Sequence, residues 1–259
     1  MPALDSIGVL VTRPEHQAAP LCRALEAQGA AVFRFPALEI RPLAELHELR
    51  SRLGHIERFD LIVFTSANAV RYGAALLDEN RGLELAAIGP ATARALDRAG
   101  YRVALESVEG ADSESLLRHP ALTALTGSRV LLIKGSGGRE LLREELARRG
   151  AAVTILDVYR RECARPSAAH SAALEARFAA RQIQVVTATS VELGANLLTI
   201  AGPALRGELE SARWLVPGER VAASLREAGC RGPLVIARSA EDQDLVSALV
   251  RWRAVESGA

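Results

Sequence analysis

The chain has 259 residues, of which 49% are hydrophobic, 24% charged and 4% aromatic, and its formal net charge is +1. A chain of this size and composition is expected to form about two globular domains without the help of disulfides. The near-zero net charge and the scarcity of aromatic residues exclude a general attraction to nucleic acid or membrane and a base-stacking surface. Neither a leader peptide nor an apolar stretch of about 18 residues is found, so we expect a cytoplasmic protein.

The first half of the chain predicts strands that alternate with helices. Short apolar runs predict buried parallel strands, and leucines at helical spacing followed by glycine predict helices. In chain order, the strands are expected at 9–12, 32–35, 61–64, 86–88 and 102–105. The helices are expected at 18–27, at 69–77 with Asn68 as its cap, at 92–99, and from 113–117 onward. This alternation predicts an α/β fold built on a doubly wound parallel sheet.

Three blocks of the first half recur in the second half in the same order. Segment 9–29 matches 130–150, segment 61–66 matches 185–190, and segment 89–96 matches 218–225. The spacing between matched blocks drifts slowly, as short loop insertions would cause, so we interpret the chain as two diverged copies of one unit. The alternative is chance similarity between generic α/β sequences.

Two segments depart from the pattern of buried strands. Residues 35–42 and 156–163 follow the second predicted strand of each copy, and both alternate apolar with polar residues. Such alternation is typical of strands with one exposed face, so these segments are predicted to be exposed strands that link the domains.

Polar and glycine-rich loops follow the predicted strands and precede helices. Ligands of open α/β sheets bind beyond the carboxyl ends of the strands, and helix N-termini attract anions, so these loops are suited to a small polyanion. The candidate binding residues in them are Arg13, Thr65, Ser66, Asn68, Gly89, Thr92, Lys134, Gly135, Gly138, Arg139, Thr189, Ser190 and Gly218. The alternative is that the hydroxyl residues merely cap helices and the glycines merely serve tight turns.

Other chemistries find little support in the sequence. The loop 134–139 fits neither the dinucleotide fingerprint nor the Walker loop, and no nucleophile elbow occurs. The histidines are dispersed, and Cys22, Cys163 and Cys230 share no metal or redox spacing. The acidic run 241–244 is interpreted as the cap of the last helix rather than a metal site. An enzyme of this sequence is therefore expected to use no cofactor and no conventional triad.

The ordered set of segments 9–14, 64–69, 87–96 and 135–142 with the pair Val158-Tyr159 resembles the uroporphyrinogen-III synthase family, over about residues 8–252. The resemblance implies two flavodoxin-like domains, which are doubly wound parallel sheets, joined by a two-stranded β-ladder. The implied division is domain 1 at 1–35 and 164–259, domain 2 at 43–155, and linker strands at 36–42 and 156–163.

The resemblance also implies a reaction. The substrate would be hydroxymethylbilane, a linear tetrapyrrole polycarboxylate, which is cyclised to uroporphyrinogen III with inversion of ring D and loss of water in tetrapyrrole (haem) biosynthesis. No metal or organic cofactor is implied, and neither nucleic acid nor membrane is a partner. The chain is expected to be a monomer, and the substrate is expected to be handed over from the preceding deaminase.

The resemblance assigns roles to the candidate residues. The hydroxyls of Thr65, Ser66, Thr92, Thr189 and Ser190 would line a cleft, with backbone groups near Gly89, Gly138 and Gly218. Val221 stands where Thr92 stands in the other copy, so we expect backbone N–H groups to bind more of the carboxylates than side chains do.

Tyr159 is the candidate catalytic residue. The matching tyrosine of the family projects into the cleft, and a phenol can donate a proton to a leaving hydroxyl. The alternative is a tyrosine that anchors the linker by packing. At the level of function, the alternatives are a non-enzymatic two-domain binder of small anionic ligands that acts as a regulator, and a glycosyltransferase-like pair of domains, for which no sugar-nucleotide signature is present.

Overall fold

The computed structural model describes residues 2–77, 82–107, 110, 112–138 and 140–258. Across these residues, strands and helices alternate along the chain. The strands are β1 (Gly8–Val11), β2 (Ala31–Arg34), β3 (Leu38–Pro42), β4 (Leu61–Phe64), β5 (Leu85–Ala87), β6 (Leu105–Glu106), β7 (Arg129–Gly135), β8 (Ala152–Cys163), β9 (Val185–Thr187), β10 (Arg213–Pro217) and β11 (Leu234–Ala237). The helices are α1 (Glu15–Glu26), α2 (Leu46–Leu53), α3 (Ala67–Gly73), α4 (Pro90–Arg98), α5 (Ser113–Leu117), α6 (Leu141–Arg148), α7 (Ala168–Ala179), α8 (Val191–Ile200), α9 (Pro203–Ser211), α10 (Glu219–Glu227) and α11 (Asp242–Ser257).

The chain divides into two compact units, one of residues 1–39 and 162–259 and the other of residues 40–161. The sheet of the first unit has the strand order β2-β1-β9-β10-β11, and every pair of neighbours in it is parallel. The second sheet has the order β3-β8-β7-β4-β5-β6, and its neighbours from β8 to β6 are parallel. The predicted α/β class with parallel sheets is therefore confirmed.

The strand order reveals an exchange between the two halves of the chain. β1 and β2 pair with strands of the second half, whereas β7 and β8 pair with strands of the first half. When the five strands of the first sheet are renumbered 1 to 5 along the chain, their spatial order is 2-1-3-4-5. The second sheet has the same order if the edge strand β3 is left out and β7, β8, β4, β5 and β6 are numbered 1 to 5. The direction of winding changes between β1 and β9, and between β7 and β4, and such switch points form ligand-binding crevices in open α/β sheets.

The central strands are apolar on both faces because helices cover both sides of each sheet. In β4 and β7, Ile62, Phe64 and Ile133 belong to one hydrophobic cluster, whereas Val63 and Leu132 belong to another. Successive side chains of a strand point to opposite faces, so these two clusters lie on the two sides of the sheet. Continuous burial along β1 and β4 follows from the same arrangement.

Several element boundaries differ from the prediction. Asn68 is not the cap of α3: the cap is Ser66, whose hydroxyl accepts a hydrogen bond from the N–H of Ala69 at 3.0 Å. This helix also ends early, at Gly73, and a 3-10 turn follows it. The strand predicted at 102–105 is β6, displaced to 105–106. Boundaries shift in this way because the ends of short elements are decided by packing and capping.

The two segments of alternating character are strands, β3 and the later part of β8, and they are neighbours in the sheet. The N–H of Leu43 donates to Val158 O at 3.1 Å, and the N–H of Ala164 donates to Ala37 O at 3.2 Å. Residue numbers thus rise along one strand as they fall along the other, so the pair runs antiparallel. No helix among the described residues has the length and apolar character that crossing a membrane requires.

Candidate functional site

The carboxyl ends of β4 and β7 meet at the switch point of the second unit. Thr65 follows β4, and both its N–H and its hydroxyl donate to Ile133 O, at 3.1 and 3.4 Å. Ser66 then caps α3 through its side chain. The predicted residues Thr65 and Ser66 thus lie at this switch point, in the short connection between β4 and α3. Each of their hydroxyl groups has a hydrogen-bond partner within the protein.

Tyr159 lies against the same switch point from β8. Its hydroxyl is 3.1 Å from Ser66 Oγ, and its carbonyl accepts the N–H of Ser136 at 2.8 Å. A register shift puts Asp157 opposite Lys134 but Tyr159 opposite Gly135, which is the mark of a β-bulge. The bulge directs Tyr159 toward Ser66.

Tyr159 is only 4% exposed and belongs to the core of its unit. Its ring stacks on that of Tyr72, with the ring centroids 6.0 Å apart and the planes at 29°. The hydroxyl of Tyr72 donates to Ile40 O at 2.9 Å, which fixes the second ring. The packing role considered for Tyr159 is therefore present in the structure, and its proton-donor role stays a prediction that concerns the hydroxyl alone.

Charged groups gather where the glycine-rich loop leaves β7. Lys134 Nζ is 3.8 Å from Glu140 Oε1, and Lys134 is the strand partner of Asp157. Burial raises the pKa of the Asp157 carboxyl, Lys134 opposes that rise, and Glu140 adds to it. Gly138 has φ +89°, a conformation that favours glycine, and a Cβ there would meet open space. Arg139, the last candidate of this loop, lies outside the described residues.

Gly89 and Gly218 occupy equivalent places in the two units. Each is the N-cap residue of its helix, with φ +77° and ψ 160° at Gly89 and φ +78° and ψ 171° at Gly218. The N–H of Gly89 donates to Ser107 Oγ at 3.2 Å, and that of Gly218 donates to Ala237 O at 3.0 Å. These two N–H groups therefore already have hydrogen-bond partners within the protein.

The side chain of Thr92 is buried in its unit. It is 2% exposed, and Val221, its counterpart in the other unit, is also 2% exposed. Because both positions face the core, a methyl group can replace the hydroxyl there. The binding role assigned to the Thr92 side chain stays a prediction.

Arg13 follows β1 at the switch point of the first unit. Its guanidinium donates to Asp242 Oδ1 and Ala240 O, each at 2.5 Å, and to Thr189 Oγ1 at 3.4 Å. The side chain is 13% exposed. Arg13 therefore joins three segments of this unit, and any anion bound by its guanidinium would have to share or displace these partners.

The acidic run 241–244 is not a side-chain cap. Glu241 is the N-cap residue of α11 but makes no capping bond through its side chain. Asp242 pairs with Arg13, and Asp244 accepts hydrogen bonds from Ser239 and Arg238, the first of which is the main reason that the pKa of Asp244 is lowered. Sequence reasoning missed the partnership of Asp242 because nothing local connects residues so far apart in the chain.

Ser190 repeats in the first unit what Ser66 does in the second. Its hydroxyl accepts the N–H of Leu193 at 3.2 Å and caps α8. Thr12 and Thr187 are buried beneath this end of the sheet, where the Thr12 hydroxyl donates to Thr187 O at 2.7 Å. Capped helix N-termini at both switch points leave N–H groups and a positive dipole end directed at the crevice, which suits an anion.

The part of the chain that the structure describes contains neither a cluster of metal-ligating side chains nor an activated thiol. No group of three or more histidine, cysteine, aspartate or glutamate side chains there is arranged to hold a metal ion. Burial raises the pKa of the Cys22, Cys163 and Cys230 thiols, so they stay protonated at neutral pH and are poor nucleophiles.

Comparisons with known proteins agree on one family. The family model described as uroporphyrinogen-III synthase HemD matches residues 19–247. The chain is 32% identical to the uroporphyrinogen-III synthase of Escherichia coli (strain K12) over 249 residues, which cover 94% of this chain and 100% of that protein. It is 33% identical over 250 residues to the protein of that name from Salmonella typhimurium (strain LT2), with the same coverage of 94% and 100%.

Solved structures share the fold. A crystal structure of uroporphyrinogen-III synthetase from Helicobacter pylori 26695 matches with a TM-score of 0.62 at 17% identity, over 95% of this chain and 99% of that chain. A mutant uroporphyrinogen III synthase from the extremely thermophilic bacterium Thermus thermophilus matches with a TM-score of 0.60 at 23% identity, over 98% of this chain and 100% of that chain. At these identities the likeness speaks for the fold alone.

Proposed function

The chain belongs to the uroporphyrinogen-III synthase family, as its sequence resemblance predicted, and from this premise we propose that it is a cyclising lyase that converts hydroxymethylbilane to uroporphyrinogen III. The observation that carries the proposal is the extent of the match, since the family model spans residues 19–247 and two relatives are covered over their full length. The two switch points, each with a capped helix N-terminus, support it as places for substrate carboxylates.

The main requirement of the reaction is that the linear substrate be held in the correct conformation. The C–O bond of the hydroxymethyl group breaks, and the oxygen leaves with the bonding pair and takes up a proton to become water. The electron-rich ring D attacks the electron-poor carbon that remains and forms a spiro intermediate. The bond between ring D and its original bridge carbon then breaks and re-forms at the other side of the ring, which inverts ring D, and a proton is released as the macrocycle closes. Closure without inversion competes, so the protein must hold a flexible chain in one conformation. Helix N-termini and glycine loops do this by gripping carboxylates, without a cofactor. In this proposal the binding groups are those predicted from the sequence, and backbone N–H groups bind more of the carboxylates than side chains such as that of Thr92 do.

Tyr159 is proposed as the donor to the leaving hydroxyl. Its own hydroxyl is held 3.1 Å from Ser66 Oγ, and Ser66 is in turn fixed by the N–H of Ala69. A phenol hydroxyl can donate a hydrogen bond or a proton to a leaving oxygen. The buried ring keeps the position of the hydroxyl constant, which is what a proton donor requires.

We also propose that the two units are flavodoxin-like domains, produced by an internal duplication and joined by a ladder of β3 and β8. The proposed division is domain 1 at 1–35 and 164–259, domain 2 at 43–155, and linker strands at 36–42 and 156–163. Three pairs of equivalent residues support common origin: Gly89 and Gly218 share backbone angles, Ser66 and Ser190 share a capping role, and Thr92 and Val221 share burial. Because the free substrate closes by itself, we further propose a cytoplasmic monomer that receives it directly from the deaminase.

A coupled assay tests the proposed function. The preceding deaminase supplies hydroxymethylbilane, and the isomers of the product are separated after oxidation. We expect the type III isomer to dominate when this protein is present. A product that consists of the non-inverted type I isomer, as in the reaction without the protein, would favour the non-enzymatic binder of small anionic ligands.

A further inference from the structure

Ser66 makes two hydrogen bonds through its single hydroxyl group. Its Oγ atom accepts the N–H of Ala69 at 3.0 Å, and it lies 3.1 Å from the hydroxyl oxygen of Tyr159. The N–H of Ala69 can only donate, so one lone pair of Oγ is committed to the cap of α3. The proton of the Ser66 hydroxyl takes no part in the cap, and the direction of the second bond decides where that proton points.

The bond between Ser66 and Tyr159 can run in either direction, because each hydroxyl can donate and accept. If Tyr159 donates, its phenol proton is engaged within the protein, and the Ser66 proton has no acceptor among the described residues. If Ser66 donates, its proton is used and the phenol proton remains free. The second direction alone satisfies the Ser66 hydroxyl and also leaves Tyr159 a proton to give.

The phenol oxygen lies beside the end of β7. A Cβ on Gly135 would be 2.9 Å from the hydroxyl oxygen of Tyr159, so only a glycine leaves space for that oxygen. Gly135 and Ser66 are both partly exposed, whereas Tyr159 as a whole is 4% exposed. The ring is thus held in the core while its hydroxyl lies between two residues that reach solvent.

Capping alone does not account for the contact with the tyrosine. Ser190 caps α8 in the first unit with nearly the same backbone angles, φ −153° and ψ 162°, against φ −165° and ψ 161° at Ser66. The needs of the helix therefore explain a serine at both positions. Among the described residues, the Ser190 hydroxyl bonds only to the N–H of Leu193, so the bond to a tyrosine is particular to Ser66.

We propose that Ser66 is a positioning residue for Tyr159: its hydroxyl donates to the phenol oxygen, so that the phenol proton is free for the leaving hydroxyl of the substrate. The inference rests on the proposed function and deepens it, because it assigns the Ser66 side chain to the proton donor instead of to a substrate carboxylate.

The proton balance closes within one turnover. The phenol proton moves to the departing oxygen, which forms water, and the O–H bonding pair stays on Tyr159 as a phenolate. The Ser66 hydroxyl donates a hydrogen bond to this oxygen throughout and keeps its own proton. The proton released when the macrocycle closes restores the phenol. A hydrogen bond to a charged oxygen is stronger than one to a neutral oxygen, so the bond from Ser66 strengthens as the charge develops.

Threonine and glycine at position 66 separate the two roles of the serine. They are about equally good as helix caps, and the extended backbone of Ser66 accepts either, but only threonine has a hydroxyl. Ser66→Thr therefore keeps the donor, and Ser66→Gly removes it with a similar effect on the helix. Ser167→Gly is the matched control, because Ser167 caps α7 in the first unit through a bond from the N–H of His170 at 3.3 Å.

The experiment measures formation of the type III isomer by these variants, alone and combined with Tyr159→Phe, and thermal midpoints check folding. Spontaneous closure gives the type I isomer, so the type III isomer reports the enzyme alone even at low rates. We expect Ser66→Gly to lower kcat about tenfold or more while KM changes less than about threefold, as the loss of a hydrogen bond to a developing charge implies.

The other variants make the comparison specific to the tyrosine. Ser66→Thr should keep kcat within about threefold of wild type, since it retains the donor, and Ser167→Gly should match wild type. In the Tyr159→Phe background, Ser66→Gly should lower kcat by less than about twofold, because the hydroxyl through which Ser66 acts is already absent.

The outcomes separate the inference from the proposed function. A wild-type protein that makes no type III isomer defeats the proposed function whatever the variants do. With an active wild type, the role of Ser66 is overturned if Ser66→Gly lowers kcat equally with and without the Tyr159 hydroxyl. A raised KM with unchanged kcat also overturns it and returns Ser66 to the substrate carboxylates. If Ser66→Gly fails to fold, Ser66→Ala, which also lacks the donor, takes its place in the same comparison.

Discussion

A Cβ on Gly135 would lie 2.5 Å from Cζ of Tyr159, so the tyrosine ring occupies the space that a side chain at position 135 would need. The conflict is with a ring held by stacking on Tyr72 and by the contact with Ser66, not with the free end of a flexible chain. Gly135, predicted as a binding residue, therefore also sets the position of Tyr159.

Gly135→Ala should displace the ring of Tyr159 and lower turnover. Overpacking of this kind costs about 1–3 kcal/mol of unfolding free energy. Gly207→Ala is the matched control, because Gly207 lies within α9 and a Cβ there meets nothing within 4 Å. Urea unfolding and kcat of both variants check the prediction, and equal behaviour of the two would contradict it.

Tyr159→Phe should lower kcat about 100-fold or more if the hydroxyl is the proton donor. Its loss of stability should stay near 1 kcal/mol, the usual value of one hydrogen bond. Tyr72→Phe also keeps a stacked ring and loses one hydroxyl bond, to Ile40 O, so it should show a similar loss of stability with near-normal kcat. If turnover of Tyr159→Phe stays within about twofold of wild type, Tyr159 is a packing residue.

Thr92→Val should leave both activity and stability close to wild type. Position 92 is buried, and the equivalent position 221 already carries valine in an equivalent setting. The measurements are kcat/KM and the thermal midpoint. Abolished activity in a variant that folds normally would show that the Thr92 hydroxyl takes part in the reaction after all.

Asp242→Asn should destabilise the first unit by about 1–2 kcal/mol, because a charge-assisted bond to a nearly buried guanidinium is lost. Glu241→Gln is the control, since Glu241 makes no capping bond through its side chain. Chemical denaturation of both variants, combined with Arg13→Gln in a double-mutant cycle, isolates the pair. A coupling energy near zero would mean that the contact adds nothing to stability.

Asp157 should make stability depend on pH in a definite direction. Burial raises the pKa of its carboxyl in the folded state, so its stabilising contribution is present below about pH 3.9 and is lost as pH rises through the higher folded-state pKa. Asp157→Asn, which is neutral throughout, should therefore gain thermal stability relative to wild type at pH 8 and lose that advantage toward pH 4. Parallel midpoints at both pH values would contradict this assignment.

The sequence by itself determined the alternation of strands and helices, the apolar character of the central strands, and the loops that carry polar residues. These features are encoded locally. A strand that is buried on both faces gives a continuous apolar run, and characteristic residues mark where a helix begins and ends. The ordered loop segments also sufficed to indicate the family, which the comparisons then confirmed.

The tertiary structure decided which strands share a sheet and which candidate groups are free. β1 pairs with β9 rather than with any strand of the first half other than β2, and Arg13 is committed to Asp242. The N–H of Gly89 is taken by Ser107, and the Thr92 side chain is buried in the core. These contacts join residues that are far apart in the chain. Local sequence patterns do not indicate which distant residue will be the partner of a given group.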